Sequence, residues 1–199
     1  MKKIIIALTA LILCGFNASA QFSLGFGYCN SCFQEKMAYV ESDRTFGNGI
    51  FVEAGYDARI NPYFSILTKA QAGNWFNGGE FTQGNHYYAK LPVLGKLIFV
   101  SGLDFKLFLD LGPEFFWHFA ENASDSFDLG FTSPKLNRCN LYATFGAGLD
   151  LYKRIRIHMG YERSLLNDFN REYSHYVVGS GPAISRNTAD FTVGVSYLF

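Results

Sequence analysis

Beyond its first twenty residues the chain has no long apolar run. The best candidate, LPVLGKLIFVSGLDFKLFLDLG, is broken by Lys96, Asp104, Lys106 and Asp110. A membrane helix needs about 20 consecutive apolar residues, so a helical span is excluded there. Charge of one sign is also missing. Seventeen basic and seventeen acidic residues give a net charge of +0, which argues against a nucleic-acid partner. Cysteine is scarce, four in all, too few for a disulfide-dense scaffold. Five prolines leave room for long uninterrupted strands.

The first twenty residues form a unit of their own. MKK is a short basic start, IIIALTALILCGF an apolar stretch, and ASA supplies small residues before Gln21. This is the build of a cleaved secretory signal peptide over residues 1–20, leaving one domain over residues 21–199.

Aromatics and glycine are abundant: 21 Phe, 12 Tyr and 20 Gly. They fall into a period-two pattern, the mark of strands with two unlike faces. In GIFVEAGYDARI, Ile50, Val52, Ala54, Tyr56, Ala58 and Ile60 share one face, and Phe51, Glu53, Gly55, Asp57 and Arg59 the other. DFKLFLDLGPEFFWHF, LYATFGAGLDLY and RIRIHMGYE alternate in the same way. Residues 21–28, 63–76, 87–99 and 188–199 complete eight predicted strands. Pro92 and Pro113 fall inside them and are read as bulge or rim positions. Short turns at Asn61-Pro62, Val100–Leu103 and Lys153 alternate with long links over residues 29–48, 77–86, 120–140 and 164–187. Short turns at one end and long loops at the other predict an all-β fold, an eight-stranded antiparallel transmembrane β-barrel of outer-membrane type.

One face is apolar on strand after strand. The other carries Glu53, Asp57, Arg59, Lys69, Lys90, Lys96, Lys106, Asp110, Glu114, Asp150, Arg154, Arg156 and Glu162. A charge facing lipid at mid-membrane costs roughly 2–4 kcal/mol, so this set is assigned to the lumen. Its mixed signs predict an ion-pair network filling a narrow bore, since a pore is marked by rings of one sign. The terminal strand sets Phe191, Val193, Val195, Tyr197 and Phe199 on the lipid face, ending on an aromatic that suits the interface.

The segments YYAKLPVLGKLIF, DFKLFLDLGPEFFW, ATFGAGLDLYKRIRIHMGYERSLLND and FTVGVSYLF resemble the PorT-like family of outer-membrane β-barrel proteins. The resemblance rests on Tyr88, Leu91, Pro92, Leu94 and Lys96; on Gly112 and Pro113; on Gly146 and Gly148; and on Tyr161, Ser164 and Leu165. It covers the chain from about Gly49 onward. It implies architecture and location, and by analogy a link to a secretion apparatus. The terminal strand likewise resembles the signal read by barrel assembly machinery.

Other residue clusters bear on chemistry. Cys29 and Cys32, in CNSC, are read as a loop disulfide that leaves Cys139 over. His118 and His158 are placed in the lumen. Ser174 and His175, with Glu172 and Asp168, make a Ser–His pair of the kind a lipid-modifying enzyme would place at the rim. The aromatics of NWFNGGEF, Trp75 among them, and of YSHYVVGSGP are read either as exposed binding loops or, the favoured reading, as part of the outer interfacial girdle with Tyr28, Tyr87 and Trp117. The sequence thus points to a non-enzymatic outer-membrane scaffold without cofactor or metal and with both termini periplasmic. Its expected partners are outer-membrane lipid, the assembly machinery and an external or periplasmic protein. A secretion accessory and a small lipid-modifying enzyme are the alternatives.

Overall fold

The computed structural model describes residues 20–37, 40–41, 44–76, 84–102, 104–123, 137–168 and 185–199. Residues 1–19 of the signal-peptide stretch lie outside them, as do Glu172, Ser174 and His175. Eight long strands are present: β1 (Ala20–Met37), β3 (Thr45–Asn61), β4 (Phe64–Phe76), β5 (Gly84–Ser101), β6 (Phe105–Ala123), β7 (Cys139–Leu151), β8 (Ile155–Ser164) and β9 (Ser185–Leu198). A two-residue strand, β2 (Val40–Glu41), pairs with the far end of β1. Each long strand pairs antiparallel with the next, and β9 returns to β1 from Ser23↔Leu198 to Lys36↔Ser185. The sheet therefore closes on itself.

The alternation sorts faces as the sequence predicts. Phe26, Ile50, Val52, Leu111, Phe145, Met159 and Phe191 are exposed on the outside, while Glu53, Lys90, Lys96, Glu114 and Arg156 are buried inside. Large inner rings need bare backbone beside them. A Cβ on Gly148 would stand 2.2 Å from the Phe108 ring, and one on Gly27 would stand 2.3 Å from Phe51. At the β7–β8 turn Tyr152 and Lys153 both take positive φ, 50° and 57°. The Arg154 amide closes this turn on the Leu151 carbonyl at 2.9 Å.

Several boundaries depart from the sequence reading. β1 continues through Cys29 and Cys32 to Met37, pairing with β3 and β9 on both sides, because inward Ser31 and Phe33 keep the alternation going. Residues three apart on a strand point to opposite faces. Cys29 is buried inside, Cys32 lies on the outer face, and both are free thiols, as is Cys139. The expected loop disulfide is therefore corrected. The two prolines are not at a rim. The β4–β5 ladder lapses at Leu91–Pro92, and the β5–β6 ladder lapses opposite Gly112 and Pro113, while the other edge of each strand stays paired.

Candidate functional site: the filled lumen and its rims

The inward residues stack in layers from the short-turn end to the long-loop end. In the first layer Lys96 on β5 reaches Asp57 on β3 (2.8 Å) and Asp150 on β7 (3.1 Å). Arg156 on β8 grips the same two carboxylates, Asp150 at 2.6 Å and Asp57 at 2.8 Å. Both cations lie over the Phe108 ring, Lys96 Nζ at 4.0 Å from its centroid. Two cations and two anions from four strands thus tie opposite walls together. Below them a cavity of about 280 Å³ opens at the mouth, lined by Ser65, Lys96, Lys106 and Asp150 among others.

The second layer centres on Glu53. It accepts from Gln71 Nε2 (2.9 Å) and Ser196 Oγ (2.5 Å), pairs with Lys69 at 3.3 Å, and lies 3.5 Å from His158 Nε2. In the third layer Lys90 stands among three carboxylates: Glu162 in direct contact, Asp190 at 2.7 Å and Glu114 at 3.6 Å. Thr144 and Thr192 hydroxyls donate to Glu114 and Glu162. A cavity of about 20 Å³ between these layers has room for about one water.

Above Lys90 the lumen turns aromatic. Trp75, Tyr88, Phe116 and Tyr142 surround the ammonium at 5.1–5.9 Å from their ring centroids. Phe116 stacks on Tyr142 at 4.9 Å and on Trp75 at 5.3 Å. Cation–π attraction of this kind is worth about 2 kcal/mol per good contact when desolvated. Trp75 is fully buried, so the exposed-loop and girdle readings are both corrected for it: its odd position on β4 carries the ring inward. Tyr28 and Tyr87 stay on the outside.

The rim at the long-loop end is polar again. Asp168 accepts from Thr188 Oγ1 at 2.5 Å and from Asn140 Nδ2, and its amide donates to the Arg186 carbonyl at 3.0 Å. The Arg186 guanidinium covers Phe33 at 4.2 Å. His86 is buried, and His118, half-buried, packs edge-on to Phe116.

Of the thirteen charges assigned to the lumen, ten are buried there and Lys106 is half-buried at the mouth. Two are corrected. Arg59 is exposed and donates to the Asn61 and Pro62 carbonyls beside the first short turn. Arg154 lies exposed in the β7–β8 turn. Inward parity is right for Arg59, but the strand end carries it past the bore. Asp190 and Arg186 were missed, although alternation counted back from Leu198 puts both inside. Among the described residues no group of three metal-ligating side chains is placed to hold an ion.

An apolar exterior around a charged, filled interior defines the class: an eight-stranded closed β-barrel of the outer-membrane type. No protein-family model matches the chain, and no curated protein matches it. Among solved structures it is similar to the outer membrane enzyme PagL, at 10% identity over 88% of this chain and 97% of that one, with a TM-score of 0.51. It is also similar to the outer membrane protein AlkL in lipid bilayers, at 10% identity, 91% and 90% coverage and a TM-score of 0.50. Ail of Yersinia pestis aligns at 17% identity over 92% and 100%, with a TM-score of 0.46.

Two measurements follow from this geometry. Lys90→Met removes the ammonium that stands between three buried carboxylates, and losing one member of a buried ion pair costs about 3–5 kcal/mol. Lys69→Met leaves Glu53 with Gln71 and Ser196, so it should cost less. Unfolding midpoints in detergent check the order, and equal losses would contradict it. Outside the strands, burial pushes Asp168 up to about 6, against the pull of Arg186. Its ordinary value is about 3.9. A raised carboxyl favours the folded state only while protonated. Stability relative to Asp168→Asn should therefore fall as pH rises from about 4 to about 6, by at most about 3 kcal/mol, and then level off. A flat difference between the two proteins across that range would refute this.

Proposed function

We propose that the chain is an integral outer-membrane protein of the PorT-like kind. Both termini lie in the periplasm, and the short turns face that side. It is a non-enzymatic scaffold whose lumen is closed by its own side chains and whose external segments bind a partner or ligand. The observation that supports this best is the set of ion pairs crossing the bore. Lys96 joins β3 to β7 and Lys90 joins β5 to β8 and β9, where a conduction path would have to run. Mixed signs at contact distance serve packing, whereas selective pores use rings of one sign. A fold shared with an enzyme leaves chemistry open, and Ser174 and His175, the pair of the lipid-modifying alternative, lie outside the described residues. Refolded protein in planar bilayers should give no steady single-channel steps. Ion-selective steps that change with Arg156→Ala would make it a small channel.

The closing strand supports an assembly role at its outward face. Phe199 packs edge-on to Tyr197 at 5.0 Å, and its amide donates to the Phe22 carbonyl at 2.9 Å. Phe191, Val193, Val195, Tyr197 and Phe199 would be the handle read by the assembly machinery. Wild-type protein from outer membranes should migrate faster on unheated gels, because a closed hydrogen-bonded barrel resists detergent. Phe199→Asp should abolish the fast form in cells. An unchanged amount of fast form would remove the handle from the account.

A further inference from the structure

On the outer surface, charged side chains are confined to the two ends of the strands, and one of those ends holds a groove. It measures about 280 Å³ and lies where β8, β9, β1 and the start of β3 meet at the long-loop end. The strand register gives its floor. Arg163, Ala189, Cys32 and Phe46 lie side by side in one row of outward positions. The small Ala189 and Cys32 make the depression, and Arg163 bounds it on one side. Arg44 stands at the other side, one step beyond Thr45. Asn30, Gln34 and Asn187 add amide groups, and among the described residues the lining contains no carboxylate. Arg44 and Arg163 are exposed, and neither has an ion pair among the described residues. Directly below, toward the middle of the barrel, lie the outward rings Tyr161 and Phe191.

This groove is amphipathic along the barrel axis. With a rise of about 3.3 Å per residue and a tilt near 40°, Arg163 stands about 20 Å above Ile155 at the other end of β8. That is close to the upper edge of an apolar band about 25 Å tall. A ligand here has its apolar part on Tyr161 and Phe191 and its polar part at the level of lipid head groups. Guanidinium forks match phosphate geometry. Three strand spacings put the Arg163 row position and β3 about 14 Å apart. A head group spanning the groove, with a phosphate toward each arginine and hydroxyls over the amides, fits better than a single phosphodiester.

We infer that this groove is a binding site for a phosphorylated glycolipid head group of the outer leaflet, held by Arg44 and Arg163. The inference rests on the membrane orientation proposed above. Its occupant is a lipid of the surrounding leaflet, separate from any partner of the loops.

The full chain, folded in detergent, is tested by native mass spectrometry with three lipids: phosphorylated lipid A, lipid A stripped of phosphate, and phosphatidylglycerol. Wild type should retain the phosphorylated lipid A about tenfold or more above the other two. Arg44→Gln with Arg163→Gln should lose that retention about tenfold or more, while Lys153→Gln with Arg154→Gln at the opposite rim keeps it. Retention within about threefold in the arginine double variant overturns the site. Equal binding of the stripped lipid removes the phosphate from it, and equal binding of phosphatidylglycerol removes the glycolipid. Fast migration on unheated gels separates the two failures. A fast-migrating chain without lipid selectivity sinks this site alone, and a chain with no fast form sinks the barrel reading beneath it.

Discussion

The β1–β9 ladder is the contact on which the rest of the structure depends. Without it the sheet has two edges, and each edge strand presents unpaired N–H and C=O groups to an apolar surrounding, at several kcal/mol apiece. With it each of the eight long strands is paired on both sides, and the price is topological. Eight strands enclose a bore only just wide enough for side chains, so whatever points inward must fit against whatever points inward from the opposite wall. The glycines at 27 and 148 belong to that constraint, since each makes room for one ring.

Closure also decides the chemistry of the filling. Away from the strand ends the outward positions carry no charge, so the charged groups at mid-strand are pressed into the bore. A lone buried charge is costly, and the layers answer that cost in different ways. Around Phe108 two cations and two anions balance. Around Glu53 neutral donors share the work with one lysine. Around Lys90 a single cation meets three carboxylates and four aromatic rings, the least balanced layer of the set. Replacing such networks by apolar packing is often neutral or stabilising. The network is therefore better understood as what closure permits than as the source of stability.

How much of this was legible depends on range. Alternation is a local property, so the faces of GIFVEAGYDARI and RIRIHMGYE can be read from neighbours in the chain. Turn position is local too, and the ends of Arg59 and Arg154 failed only because parity does not say where a strand leaves the bore. Partners across the lumen are not local. Nothing near Lys90 in sequence announces Asp190, one hundred residues away, and nothing near Trp75 announces Phe116. Cys29 and Cys32 misled because a spacing that suggests a bridge in a loop forbids one in a strand. Counting parity through CNSCF, with Ser31 and Phe33 on the same side as Cys29, was the signal available.

The same residue type thus has two fates set by parity and height. Arg156 points inward at the short-turn end and is held by two carboxylates. Arg163, seven residues on, has the opposite parity and faces out at the long-loop end, with no counter-ion among the described residues. An outward arginine could not survive at the middle of the apolar band, where it would cost roughly 2–4 kcal/mol. At the band's edge the cost falls toward zero, and the charge becomes available to whatever anion the surrounding leaflet supplies. Closure commits the interior charges to one another, so the chemistry a partner can meet is left to the rims.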